Sequence, residues 1–106
     1  MKTYKVFPDY CSTGLWDSET GVSEDIPKYI PIQLVIMLRM WHELWEFAIA
    51  DYVRAHKSKM SWQYIERWDE DGRYIVYLLN TLGSDTYIYE ESTVIGYNTL
   101  KENNDE

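Results

Sequence analysis

Residues 61–83, SWQYIERWDEDGRYIVYLLNTLG, decide the fold because they can be read in two ways. In the first reading, two strands rich in β-branched and aromatic residues flank a DEDG turn at residues 69–72 and form a hairpin. In the second reading, apolar residues and one glycine recur every three or four positions along one helical face: Ile65, Trp68, Gly72, Ile75, Leu79 and Leu82. This regularity favours a helix over residues 61–82, with Ser61 as its N-cap and Gly83 just beyond its end.

Gly72 suggests what packs against this helix. Glycine inside a helix costs about 1 kcal/mol relative to alanine, but on a buried face it lets a second helix approach closely. The second helix is predicted after Pro31, where one face carries Leu38, Trp41, Trp45, Ala48 and Tyr52. Further apolar residues widen that face: Met37, Met40, Leu44 and Phe47. A helix with so wide an apolar face is either buried on more than one side or in contact with another chain.

Strands are predicted on either side of the helices. Residues 4–7 favour a strand that Pro8 ends, and residues 86–90, TYIYE, place two tyrosines on one face and Ile88 on the other. A short further strand is expected over residues 93–97, before a frayed tail at 101–106. The sequence therefore predicts one α+β domain, with a small antiparallel sheet of two or three strands packed against two helices in the order strand-helix-helix-strand.

The stretch FPDYCSTGLWDSETG, residues 7–21, runs from the end of the first predicted strand into a predicted loop, Asp9 to Tyr29, that mixes rings with carboxylates. We expect two rings to pack inward and order the loop, Tyr10 and Trp16, with Cys11 as a small apolar neighbour of Trp16. The carboxylates would then face solvent in fixed positions: Asp9, Asp17 and Glu19.

The charge balance restricts the choice of partner. The formal net charge is -8, from 18 acidic and 10 basic residues. This disfavours nucleic acid and anionic membranes as partners, and it suits a basic protein; solubility alone is the competing explanation. A single cysteine allows no intrachain disulfide, and the longest apolar run is too short for a membrane span. We therefore expect a cytoplasmic protein.

Two acidic clusters are the candidate binding sites for a basic partner. The first lies in the loop and comprises Asp9, Asp17, Glu19, Glu24 and Asp25. The second lies near the middle of the second half and comprises Glu66, Asp69, Glu70 and Asp71. Each cluster can also be read as an ordinary solvated face.

Catalytic machinery is not evident in the sequence. His42 and Glu46 lie one helical turn apart, but a metal site needs three or more ligands. Cys11 has no base that the sequence places nearby, and the five glycines form no phosphate-binding pattern. We therefore predict no catalytic residue, no metal, no cofactor and no enzymatic activity.

Short motifs give the chain a family resemblance. They are FPDY and GLWD near the start, then DGR and a later LG: Phe7, Pro8, Asp9, Tyr10, Leu15, Trp16 and Asp17, then Asp71, Gly72, Arg73, Leu79, Leu82 and Gly83. The chain thus resembles a family of small acidic bacterial proteins, some of which are immunity proteins encoded beside secreted toxins, as in contact-dependent growth inhibition. The resemblance implies a strand-helix-helix-strand arrangement, and a cytoplasmic immunity protein that neutralises a toxin, such as a nuclease, by direct binding through an acidic surface.

Two alternatives stay open. The apolar helix around Met40, Trp41 and Leu44 suits a homodimer, and hence an oligomeric structural or regulatory module. An acidic inhibitor that mimics nucleic acid would share the charge argument, but it needs carboxylates spaced like phosphates along one face.

Overall fold

Two helices and three short strands make up the part of the chain that the computed structural model describes, residues 1–49 and 62–90. In chain order these are β1 (Thr3–Val6), β2 (Leu15–Asp17), α1 (Ile32–Leu44), a π-helical turn that continues α1 (Trp45–Ile49), α2 (Trp62–Thr81) and β3 (Thr86–Tyr89). The predicted α+β class is confirmed.

The stretch that decides the fold is a helix, α2, as the spacing predicts. Five of its six periodic positions are buried, and the last is half-buried: Ile65, Trp68, Gly72, Ile75 and Leu79, then Leu82. Gly83, with φ of +73°, ends the helix in a conformation that favours glycine. The hairpin reading of this stretch is therefore wrong.

Gly72 lies where α1 and α2 come closest. A Cβ atom on this residue would lie 2.7 Å from the ring of Trp41, so only glycine leaves room for that ring. The rings of Trp41 and Trp68 stack with centroids 4.8 Å apart. Each indole Nε1–H donates to the other residue's backbone carbonyl, at 2.9 Å from Trp41 and 2.8 Å from Trp68. Burial and hydrogen bonding together fix how the two helices cross.

The sheet has the strand order β2-β1-β3 and is mixed. β1 pairs antiparallel with β2, placing Val6 opposite Leu15, and parallel with β3, placing Tyr4 opposite Tyr87. The predicted wholly antiparallel sheet is therefore wrong for the second pair. Both helices lie between β1 and β3 in the chain, and a connection of that length can bring β3 back in the same direction as β1.

β3 is attached to α2 as well as to the sheet. Asn80 accepts the amide N–H of Tyr87 at 2.8 Å and donates to the carbonyl of the same residue at 2.9 Å. Along β3, Tyr87 is buried, Tyr89 is half-buried and Ile88 is exposed, which confirms the predicted alternation. The core lies between this sheet and the two helices, where Val6, Leu15, Leu38, Ile65 and Leu79 are fully buried.

Several predictions lie outside the described residues: the N-cap Ser61, the helical face at Tyr52, the strand at 93–97 and the tail at 101–106. Ala48 lies in the π-helical turn that continues α1. Within residues 1–49 and 62–90, no helix has the length and apolar character needed to cross a bilayer.

Candidate functional site

The loop that begins at residue 7 is ordered by its own rings. Trp16 stacks on Phe7 with ring centroids 4.6 Å apart, and its Nε1–H donates to the Phe7 carbonyl at 2.9 Å. The ring of Tyr10 rests against Trp45 at 4.9 Å, although Tyr10 is 42% exposed. The prediction that Trp16 packs inward and orders the loop is therefore confirmed. Tyr10 packs one face against Trp45, while much of its ring stays exposed to solvent.

Part of this predicted loop is a strand, β2. In the turn before it, Cys11 has a positive φ, which is uncommon for a residue other than glycine. Cys11 is exposed and has φ of +56°, so the expectation that it packs beside Trp16 is wrong. The turn is closed by Ser12, whose hydroxyl donates to the Asp9 carbonyl at 2.9 Å.

His42 of α1 holds this turn against the helix. The ring is buried, and its Nε2 lies 2.8 Å from the carbonyl oxygen of Asp9. Because a carbonyl oxygen can only accept, Nε2 must carry the ring proton. The amide nitrogen of Asp9 also lies 3.4 Å from Nε2, but one nitrogen cannot donate to the carbonyl and accept from the amide, and the shorter contact decides.

That tautomer determines what the neighbouring groups can do chemically. Ser12 Oγ lies 3.2 Å from Nε2, and Glu46 Oε1 lies 3.8 Å from Nδ1, so a hydroxyl, an imidazole and a carboxylate follow in order. A general base must, however, accept the proton of the nucleophile. With the proton of His42 already on Nε2, this arrangement does not activate Ser12; it fixes the turn.

A cleft of about 410 Å³ lies between this loop and α1. Three carboxylates line it, from Asp25, Glu43 and Glu46, together with the guanidinium of Arg39. The remaining polar lining comes from His42 and from the hydroxyls of Ser12, Thr13 and Ser23. Negative groups thus outnumber the arginine three to one around a polar cleft, which we call the acidic cleft.

Two predicted members of the loop cluster, Asp17 and Glu24, share one ion-pair partner, Lys2. Its Nζ lies 3.3 Å from Asp17 Oδ2 and 2.7 Å from Glu24 Oε1. Asp17 also accepts the amide N–H of Thr20 at 3.1 Å and of Glu19 at 2.7 Å, and these bonds hold the pKa of its carboxyl below the ordinary value. Asp17 and Glu24 therefore join β1 to the loop, and their role in partner binding stays a prediction.

The helix cluster is divided in the same way. Asp69 is buried, where it accepts from Arg73 Nε at 3.0 Å and from the Tyr89 hydroxyl at 2.8 Å, so it is not at the surface as predicted. Asp71 pairs with Arg67 at 3.3 Å. Glu66 and Glu70 are exposed on α2.

The predicted acids therefore do not form one surface. Asp9, Glu19 and Asp25 are exposed, but only Asp25 lines the acidic cleft, and no residue of α2 does. Sequence reasoning missed two cleft carboxylates, Glu43 and Glu46. Both lie on the side of the helix that faces the loop, and His42, which contacts the loop, identifies that side.

Among residues 1–49 and 62–90, no group of three or more histidine, cysteine, aspartate or glutamate side chains is placed to hold a metal ion. No protein-family model matches the chain, and no curated protein matches it.

Proposed function

We propose that this protein works by binding, and that a positively charged segment of another protein occupies the acidic cleft. The observation that carries the proposal is the composition of the cleft. Asp25, Glu43 and Glu46 surround about 410 Å³ of space with one arginine among them. A lysine or arginine side chain entering the cleft would form charge-assisted hydrogen bonds with these carboxylates.

The rest of the molecule supports a basic partner. The net charge of -8 attracts a positively charged protein over distance and raises the rate of encounter. The loop is held in place by His42 and by the ring of Trp16, so the cleft is formed before binding and little ordering is needed.

A toxin that acts on nucleic acid is a partner of suitable charge, because its groove must bind a polyanion. We therefore propose a cytoplasmic inhibitor, of the immunity-protein kind, that neutralises such a toxin without catalysis. The tautomer of His42 supports binding rather than catalysis at this site. A nucleic-acid mimic has less support, because four of the nine predicted acids pair with lysine or arginine: Asp17, Glu24, Asp69 and Asp71.

The decisive experiment uses the reading frames next to the gene of this protein. Each is expressed in a bacterial host, alone and together with three forms of the protein. The cleft variant carries Asp25→Asn and Glu46→Gln; the control variant carries Glu66→Gln and Glu70→Gln and removes the same charge from α2. We expect a neighbouring frame to arrest growth, and the wild type and control to restore it where the cleft variant does not.

Binding of the purified pair then tests the mechanism. Asn and Gln still accept hydrogen bonds, but a neutral bond is about half as strong as a charge-assisted one, so the cleft variant should bind roughly 10- to 100-fold more weakly. The association rate of the wild type should fall with added salt. Equal rescue and equal affinity for the cleft and control variants would show that the cleft is not the binding site. If no neighbouring frame is toxic and none of the encoded proteins binds, the inhibitor proposal fails.

A further inference from the structure

The outer face of α1 is apolar and exposed along the length of the helix. It carries Ile32, Ile36, Met37, Met40 and Leu44, and it continues onto Phe47 in the π-helical turn. Met40 is 59% exposed and Phe47 is 77% exposed. Four of these residues follow a three-four-three spacing, Met37, Met40, Leu44 and Phe47, which is the spacing of a seam between paired helices.

A groove beside this face separates α1 from α2. It measures about 390 Å³ and is lined on the α1 side by Met37, Met40 and Leu44 and on the α2 side by Tyr74 and the Arg67–Asp71 ion pair. Trp41, which the sequence analysis placed at a dimer contact, lies at the floor of the groove and is buried against Trp68. The burial of Trp41 removes it from a dimer contact, whereas Met40 and Leu44 are exposed and available for one.

The area of this face is large for a chain of this size. With roughly 200 Å² for a fully exposed large side chain, the outer face of α1 and Tyr74 together expose about 800 Å². One partner in a standard-size interface buries about as much, and exposed apolar patches of this size mark interaction sites.

We propose that a second copy of this chain covers the face, with the two α1 helices antiparallel across a twofold axis. The face is self-complementary in one register: where Met40 lies opposite Leu44 of the second copy, Met37 lies opposite its Phe47. At 1.5 Å rise per residue, the same register brings Arg39 within about 3 Å, along the helix axis, of the second copy's Glu43. Both residues flank the apolar face on one side, so unlike charges meet across the axis.

The dimer proposal rests on the apolar face and does not need the acidic cleft to be occupied, but the two share Arg39 and Glu43. A twofold axis of this kind places the same flank of each α1 helix together. The flank with Arg39 and Glu43 borders the acidic cleft. The two clefts of a dimer would then lie side by side, and two basic segments could be bound on one side of the molecule.

Light scattering over concentrations from micromolar to near-millimolar tests the dimer. We expect a mass twice the 12.7 kDa of the chain, and a single-chain mass for Met40→Lys with Leu44→Lys. Neither side chain is in the core, so the circular dichroism of this variant should match the wild type. The control is Ile88→Lys, which places a charge on an exposed apolar residue of β3 and should leave the dimer intact.

Cross-linking tests the register. In a Cys11→Ser background, Met37→Cys alone and Phe47→Cys alone should not cross-link with a short bis-maleimide, because the register separates each residue from its own copy by about 15 Å along the helix axis. A mixture of the two variants should cross-link. A wild type that is monomeric throughout the concentration range overturns the proposal and leaves the face to another partner. Cross-linking of either single variant to itself, or loss of the dimer in the Ile88→Lys control, overturns the proposed register and face.

Discussion

A single missing side chain sets the distance between the two helices. Replacing Gly72 with alanine puts a methyl group 2.7 Å from the ring of Trp41. Alanine favours a helix by about 1 kcal/mol over glycine, but overpacking a core costs about 1–3 kcal/mol. Because the clash is with a ring held by stacking and hydrogen bonds, we expect a net loss of unfolding free energy for Gly72→Ala, measured by urea denaturation.

The cause of that loss can be checked in a second background. Phenylalanine at position 41 lacks the indole nitrogen that the added methyl group would meet. Gly72→Ala should therefore cost less in a Trp41→Phe chain than in the wild type, and the two costs should not add. Strict additivity would mean that the ring contact does not explain the need for glycine.

Asp17 makes the stability of the fold depend on pH in the acid range. Its pKa is lowered by the amides of Thr20 and Glu19 and by Lys2. A lowered pKa stabilises the folded state above the unfolded value of about 3.9, and this stabilisation is lost as pH falls through the folded value. Asp17→Asn should therefore be less stable than the wild type at neutral pH, and the difference in stability should shrink toward pH 2. Thermal unfolding at a series of pH values measures this difference. A difference that stays constant with pH would contradict this role.

The carboxyl of Asp85 also has a lowered pKa, so it too stabilises the folded state more at neutral pH than in acid. Its pKa is lowered by the backbone N–H of Lys2, at 2.8 Å, and by the hydroxyl of Tyr29, at 2.7 Å. Tyr29 in turn has its pKa raised by burial and by its bonds to Tyr87 and Asp85. This cluster joins the turn before α1 to the end of the β1–β3 pair at which both parallel strands begin.

At the scale of elements, the crossed hydrogen bonds of Trp41 and Trp68 hold α1 to α2. Trp68→Phe should lose about 1–3 kcal/mol of unfolding free energy, because the hydrogen bond to the Trp41 carbonyl and part of the packing both disappear. Trp16→Phe is the matched control: its indole also donates to a backbone carbonyl, that of Phe7, but it is only half-buried. Chemical denaturation should give a smaller loss for Trp16→Phe, and equal losses would argue against a special role for the pair.

A long element with a periodic apolar pattern could be predicted from the sequence. A very short strand, and the relative direction of strands far apart in the chain, could not. Six positions from Ile65 to Leu82 follow one helical repeat, so the buried face of α2 could be predicted from the sequence. β2 has three residues, fewer than any periodic signal needs, and it lay inside a predicted loop. The direction of β3 relative to β1 depends on the path of the helices between them, and local sequence does not contain that path.

The candidate site was predictable in its chemistry and only partly in its residues. An excess of carboxylates was evident from composition, and the structure places Asp25 in a cleft. The ion pairs of Asp17 and Glu24 depend on a cation that the fold brings near, Lys2 at the start of β1. Such pairing over long sequence separations removes acids from a surface that their spacing alone would predict.

At the scale of the whole molecule, the central strand of the sheet, β1, is synthesised before the two strands that pair with it. β1 can pair with β2 soon after residue 17 has been made, but its other edge waits for Thr86–Tyr89, because Thr3 pairs with Thr86. Pairing over so long a separation slows folding. A ribosome that pauses before residue 86 would therefore hold a nascent chain with one open strand edge, a template for contact with other nascent chains until translation resumes.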